Sequence, residues 1–290
     1  MRREFANICS KLIIQDKKAV IMLGDISHFL LRETQQNAPD RFFNIGICEQ
    51  SMVSMAAGLA IEGMRPILHT IAPFLVERSY EQIKDDLGYQ NVDVTLVSVG
   101  GSYDYADLGC THHCYGDIAL MRCVPNMQVY EPGTPNEFNQ LFNRTWNNGN
   151  PKYFRLSTQS HNRTFDVVPG KLNILRKSKD GRYAFVTGHL LDDVMEDLDI
   201  GIIYVSTLSH IDQESINKVN DILKECDKVY TIENHFKNGG LGDLISETFK
   251  ISVTRIGLDR QFITSYGSYD DLREDCGMDR QSILKKLSYG

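Results

Sequence analysis

One stretch, Arg41 to Ala60, constrains this chain more than any other: a nearly continuous apolar run with a carboxylate and an amide set into it. Phe42 to Ile47 reads as a strand, and Glu49 and Gln50 lead out of it into a helix. That helix is apolar on nearly every side, through Met52, Val53, Met55, Ala56, Ala57, Leu59, Ala60 and Ile61. Such a pattern predicts a helix buried all round rather than an amphipathic one. Its small residues imply that other backbone passes close by. Burying an unpaired carboxylate is expensive, so Glu49 needs an explanation. The simplest is a first-turn position, where the helix dipole favours negative charge.

The rest of the chain alternates strand and helix. Residues 5–17 predict a helix, Ala19–Leu23 a buried strand ending in Gly24-Asp25, and 67–71 another strand. A helix is expected over 74–87, a strand over 92–99, and then a long loop, Gly100 to Gly116, of a length that tends to be functional. A helix near 118–122, a strand 127–129, a helix capped by Thr134 and a strand 153–156 complete the first unit. This spacing means a parallel α/β sheet. Residues 161–180 are polar and read as a linker. A second α/β unit follows, with strands at 183–187, 201–205, 228–232 and 251–256, helices at 190–198, 213–225 and 243–249, and a terminal helix at 279–287. The fold class is α/β, two domains over 1–160 and 181–290, each a mainly parallel sheet flanked by helices. In such sheets, strand ends open into the ligand crevice. Asp25 is thus a candidate contact, although an Asx turn after glycine is the commoner role.

A length of 290 residues suits two domains. A net charge of −7 without a basic stripe argues against nucleic acid. No apolar run is long enough to span a membrane, and Met1 to Phe5 lacks the apolar core of a signal peptide. Seven cysteines without framework spacing read as reduced thiols, so cytoplasm is the expected compartment. Cys110-Thr111-His112-His113-Cys114 invites a zinc reading, but adjacent histidines and Cys-x₃-Cys are not zinc spacing. No metal site is expected in this chain.

Five segments in order carry a resemblance: Phe43-Asn44-Ile45-Gly46-Ile47-Cys48-Glu49-Gln50, Ala56-Ala57-Gly58-Leu59-Ala60, Arg78-Ser79-Tyr80-Glu81-Gln82, Gly109-Cys110-Thr111-His112, and Asp117 to Met127. Together they resemble the pyrimidine-binding domain of the transketolase family of thiamine-diphosphate enzymes. Glu233-Asn234-His235 with Gly239-Gly240-Leu241-Gly242 resembles that family's C-terminal domain. The family's Gly-Asp-Gly motif, which holds the diphosphate through Mg²⁺, is missing. Gly24-Asp25, Gly116-Asp117 and Gly242-Asp243 are followed by Ile, Ile and Leu. A metal-bound diphosphate needs fixed oxygen ligands. The resemblance therefore implies the C-terminal half of a split transketolase. Its partner would be an N-terminal-type subunit carrying Gly-Asp-Gly and Mg²⁺, in a heterotetramer with cofactor at the boundary.

The resemblance also implies roles. Glu49 would bond a ring nitrogen of the cofactor's aminopyrimidine, which requires a buried carboxyl able to share a proton. Phe74 would stack on that ring, a place that a one-residue slip would give to Leu75. Arg78 joins the cofactor-binding set, Asp25 matches the aspartate over the thiazolium, and His112 matches the histidine that contacts reacting hydroxyls. The expected activity is transfer of a ketol or acyl unit to a sugar acceptor. The alternatives are a β-type subunit of a 2-oxo acid decarboxylating dehydrogenase and a non-catalytic structural partner.

The substrate end departs from the family. Gly100 stands where phosphosugar enzymes have a histidine, Thr158 where they have an arginine, and Leu108 where they have a hydroxyl-reading aspartate. Phosphate favours cationic, bidentate donors. The expectation is a substrate other than a simple phosphosugar bound in the usual way, such as a nucleotide-linked sugar acceptor or a pyruvate donor. Arg155 and Arg163 are candidate replacement charges, and Asp107 a replacement reader if the loop shifts.

Overall fold

A computed structural model describes residues 1–196 and 198–289, the side chain of Tyr289 excepted. The first unit runs α1 (Arg2–Gln15), β1 (Ala19–Leu23), α2 (Arg32–Asn37), β2 (Phe42–Asn44), α3 (Glu49–Ile61), β3 (Arg65–Ile71), α4 (Ala72–Val76) and α5 (Tyr80–Gln82). A π-helical turn Ile83–Tyr89 follows, then β4 (Thr95–Val99), α6 (Asp117–Arg122), β5 (Gln128–Tyr130), α7 (Pro135–Thr145) and β6 (Lys152–Leu156). The sheet has the order β2-β1-β3-β4-β6-β5, and every pair is parallel. β1 and β4 are buried at every position, as expected of strands covered on both faces. The chain leaves β1 toward β2 on one side and returns to β3 on the other. The carboxyl ends of β1 and β3 therefore flank a topological switch point, where open α/β sheets place ligands.

The helix expected over 74–87 is interrupted. Ser79 Oγ donates to the Leu75 carbonyl, 2.5 Å away, a back-bond that bends helices. The interruption separates α4 from α5. Thr134 does cap α7, accepting from the Glu137 N–H at 3.1 Å.

The second unit comprises β7 (Leu172–Arg176), β8 (Arg182–Thr187), β9 (Gly201–Val205), α8 (Gln213–Leu223), β10 (Lys228–Phe236), α9 (Leu241–Phe249), β11 (Thr254–Leu258), α10 (Tyr269–Asp275) and α11 (Arg280–Tyr289). Its order is β11-β10-β8-β9-β7, parallel except for β7, which runs antiparallel to β9. The stretch expected as a linker thus contributes an edge strand. The helix expected at 190–198 is a 3₁₀ turn, Gly188–Asp193. Leu190, Leu191 and Val194 all enter the core, while Asp192 and Asp193 turn to Arg163 and Arg273. Asp197 lies outside the described residues. No helix among the described residues is long and apolar enough to cross a membrane.

Arg155 locks the two sheets together. Its guanidinium, almost wholly buried, donates to Asp117 (2.9 Å) and Glu131 (2.7 Å) of the first unit and to the Asn234 carbonyl (3.0 Å) of the second. Thr187 donates to the other Glu131 oxygen at 3.0 Å. The Glu233-Asn234-His235 segment belongs to this seam. Glu233 accepts from the Leu241 and Gly242 N–H groups and so caps α9, while His235 Nε2 accepts from the Ala119 N–H at 3.3 Å.

The helix expected to be buried all round is buried on one side only. Met52, Val53, Ala56 and Ala57 of α3 face the core. Met55 is 49% exposed and Ile61 58%, and Ile47, just before the helix, is 69% exposed. The apolar pattern covers two faces, and this chain's own core covers one of them.

Candidate active site

Glu49 opens α3 at the carboxyl end of the sheet, directly after β2, and is 1% exposed. One oxygen, Oε2, accepts from Arg78 Nη1 at 2.7 Å. The other, Oε1, is buried without a partner among the described residues. Arg78 reaches Glu49 from the break between α4 and α5, and its guanidinium lies 4.3 Å from the centre of the Phe74 ring. Phe74 in turn meets His112 edge-on, at a centroid separation of 5.2 Å. Glu49, Arg78, Phe74 and His112 therefore form one contiguous cluster. Phe74 is half-buried in it, whereas Leu75 is fully buried in the core, so the structure presents Phe74 rather than its neighbour.

His112 sits in a short 3₁₀ turn, Cys110–His112, of the loop after β4. Thr111 Oγ1 lies 3.0 Å from its Nδ1 and orients the ring. Its Nε2 bonds no described residue. The neighbouring groups diverge: Cys114 is buried against Glu77, His113 bonds Tyr115, and Cys110 is exposed. Among the described residues no cluster of three metal-binding side chains occurs.

Asp25 stands apart from that cluster. It lies on the exposed turn after β1, where its N–H donates to Asn44 Oδ1 and its Oδ1 accepts from Asn44 Nδ2, both at 3.0 Å. Asp25 (φ 58°) and Ser27 (φ 60°) both occupy the left-handed region, which non-glycine residues seldom do. Two such residues on one turn mark a backbone held in place by its surroundings, as ligand-binding turns often are. Asp25, Asn44, Cys48 and Gln50 are all exposed, so the cluster lies at the edge of an open face.

Residues without a sequence signal border the same crevice. Tyr105 fills the space beside Gly100: a Cβ there would lie 2.2 Å from the Tyr105 ring, and Gly100 has φ +81°. The Tyr105 and His112 rings are 6.4 Å apart. Ser27 Oγ lies 2.9 Å from His69 Nε2 and receives Arg2 Nε at 3.1 Å. In the sequence Arg2 and Arg3 bear only on targeting, because nothing there brings residue 2 beside residues 27 and 105. Arg155 and Arg163 are corrected as replacement charges. Arg155 is consumed by the seam, and Arg163 pairs with Asp192 and Glu196. Asp107 is exposed beside Leu108, with no loop shift that turns it inward.

Residues 1–163 match the family described as transketolase, pyrimidine binding domain. The B-type component of apulose-4-phosphate transketolase from Actinobacillus succinogenes is 33% identical over 264 residues, covering 85% of this chain and 83% of that one. The chain belongs to the transketolase family. Its match to the component of the same name from Phocaeicola vulgatus is 29% over 302 residues, covering 98% and 95% of the two chains. With 1-deoxy-D-xylulose-5-phosphate synthase of Thermus thermophilus it shares 29% over 266 residues, 86% of this chain but 42% of that one. Among solved structures, a split gene transketolase described as an inactive beta4 tetramer superposes with a TM-score of 0.84 at 24% identity, covering 99% and 96%. The fold is thus transketolase-like, and the chain corresponds to the C-terminal half of a split transketolase.

Membership of the transketolase family implies thiamine diphosphate, and the residues present fit its aminopyrimidine. A flat ring with a basic nitrogen needs an aromatic face and a buried acid with a free oxygen. Phe74 and Glu49 Oε1 are those groups. The Gly-Asp-Gly motif that holds the diphosphate and its metal in this family does not occur in the sequence.

Proposed function

We propose that this chain is the catalytic C-terminal-half subunit of a two-subunit, thiamine-diphosphate-dependent transketolase that moves a two-carbon ketol unit between sugars. The observation carrying this reading is Glu49, buried, with one oxygen held by Arg78 and the other unpartnered beside Phe74 and His112. Thiamine diphosphate, when bound, supplies a carbon nucleophile for ketones. Glu49 Oε1 holds a proton at the pyrimidine ring nitrogen, the general acid–base role for which a buried carboxyl at hydrogen-bond distance is suited. Arg78 fixes Oε2 and so orients the carboxyl. Phe74, which carries the Arg78 guanidinium 4.3 Å from its ring centre, would give the pyrimidine an aromatic support. His112, steered by Thr111, would offer Nε2 to the reacting hydroxyls, and Asp25, on the turn after β1, would help hold the thiazolium.

A second subunit of the N-terminal type would contribute Gly-Asp-Gly, the diphosphate contacts and Mg²⁺, in a heterotetramer. Three observations support that dependence: the missing motif, the open face beside Glu49, and the exposed apolar side of α3. Two relatives are named for a sugar phosphate and as one component of a larger enzyme, which favours a phosphorylated substrate held in an unusual way over a nucleotide-linked sugar or pyruvate. Thermal unfolding with thiamine diphosphate and Mg²⁺ tests the division of labour. Ligand binding stabilises by about 2.7 kcal/mol at a hundredfold excess over Kd. The pair should show a clear rise in Tm and the chain alone almost none. A large rise for the chain alone would overturn the split-site reading.

A further inference from the structure

His112 hangs from a glycine. The turn Cys110–His112 starts after Gly109, whose carbonyl accepts from the His112 N–H at 2.9 Å. Gly109 holds φ 73° and ψ −167°, a backbone region that only glycine enters without strain. The group lying against it comes from the second unit. A Cβ at Gly109 would meet three atoms of Tyr266, Cε1 at 2.5 Å and Cζ and Oη at 2.7 Å. The Tyr266 ring therefore rests on bare Gly109 backbone, in space that any side chain at 109 would occupy.

Tyr266 belongs to the segment between β11 and α10, and that segment is fixed on its far side. Ser268 starts α10 with a reciprocal cap: its Oγ accepts from the Asp271 N–H at 3.2 Å, and Asp271 Oδ2 accepts from the Ser268 N–H at 2.7 Å. Tyr269 then packs on the buried Tyr103, ring centres 5.2 Å apart, with its hydroxyl 2.5 Å from His189 Nε2. Tyr266 itself is 70% exposed, and its hydroxyl bonds no described residue. A ring so exposed adds little to the core, and what it does touch is the backbone three residues before His112. The second unit also grips this loop near its two ends. Ser102 Oγ donates to Asn234 Oδ1 at 3.1 Å, and the Phe236 N–H donates to the Tyr115 carbonyl at 3.0 Å. Between those grips, the stretch with exposed Leu108 and the His112 turn has Tyr266 as its brace from the second unit.

We propose that Tyr266 is a positioning residue for His112: its ring presses on Gly109 and holds the Cys110–His112 turn, and with it His112 Nε2, where the reacting hydroxyls arrive. This rests on the transketolase reading above. Tyr266 touches no reacting atom and acts through the Gly109 backbone. The second unit, which contributes none of Glu49, Arg78, Phe74 and His112, thereby takes part in the transfer step.

The test separates the step that needs His112 from the one that needs Glu49. In the reconstituted pair with thiamine diphosphate and Mg²⁺, Tyr266→Ala should lower kcat for ketol transfer by about 10- to 100-fold, the cost of misplacing a reacting group by about 1 Å, with KM little changed. Deuterium exchange at the cofactor's C2, which depends on Glu49, should keep its wild-type rate, and the Tm of the chain should hold, as for other surface changes. Tyr266→Phe, which keeps the ring, should restore transfer. In a His112→Ala background, Tyr266→Ala should cost nothing further, because the two act as one unit. Equal slowing of exchange and transfer, an additive loss in that background, or wild-type kcat in Tyr266→Ala would overturn the proposal. A second arm needs no activity. In the chain alone, the His112 imidazole should give one set of NMR signals in wild type and Tyr266→Phe, and broadened or split signals in Tyr266→Ala. Unchanged His112 signals in Tyr266→Ala would overturn the positioning role. If the wild-type pair transfers nothing, the transketolase reading fails, and this arm still decides whether Tyr266 holds His112.

Discussion

Glu49 shows how a residue's meaning depends on its neighbours. In the sequence a first-turn carboxylate is an ordinary helix start; here it is buried, half-paired with Arg78 and beside an aromatic face. Glu49, Arg78 and His112 can be picked out together because each sits in a short local motif, whereas Phe74 lies between motifs and the sequence leaves its place open to Leu75. Arg2 and Tyr105 cannot be picked out, because their partners lie far along the chain and share no motif with them. His69 belongs to the same class and has a measurable consequence. Burial lowers its folded-state pKa to about 4 against the ordinary 6.5. Between those values the unfolded chain binds more protons, so stability falls as pH drops from about 6.5 toward 4, by about 3 kcal/mol for this group. Asp104, raised by burial from 3.8 to about 6, acts oppositely, withdrawing stability as pH rises through that range. Nitrogen NMR of His69 at pH 5.5 should therefore show a neutral ring with its proton on Nδ1, which faces the Val97 carbonyl at 2.8 Å. A charged imidazole at that pH would contradict the Arg2–Ser27–His69 chain.

Among elements, β1 and β9 are legible residue by residue because a fully buried strand is a bare apolar run. β7 is hidden. Its residues are all half-buried at a sheet edge, so neither alternation nor an apolar run marks them. The residues of α3 are apolar on both faces, as the sequence indicates, but a sequence does not say whose core they enter. Met55 and Ile61 of α3 and Ile47 just before it are apolar side chains left exposed, as residues of an association surface are. Met55→Glu should leave the Tm of the isolated chain within about 1 °C, as surface changes do. In sedimentation, the same variant should assemble more weakly with its partner. Full assembly of that variant would show that α3 faces solvent in the working enzyme.

At the scale of the molecule, two sheets of different order meet across a buried cation. The α/β class and the alternation of strand and helix are written in the sequence spacing, but the seam is not. It joins Asp117, Glu131 and Arg155 to Asn234 across long separations, which no periodicity encodes. Breaking such a network by removing one partner costs about 3–5 kcal/mol. Arg155→Ala should lower Tm by on the order of 10 °C; an unchanged Tm would mean that the two units are held by packing alone. The seam also fixes the loop after β4, since Ser102 bonds Asn234 at its start. His112 is thus carried on a loop braced by both units.

The most direct test of this account is exchange of the thiazolium C2 proton of thiamine diphosphate for deuterium, followed by NMR in the reconstituted pair. Wild-type protein should exchange fast, and Glu49→Gln should slow exchange by about 10²–10⁴-fold, the range for a positioned acid–base group, while the pair remains assembled. Exchange within a few-fold of wild type in an assembled Glu49→Gln pair would contradict the central role given to Glu49.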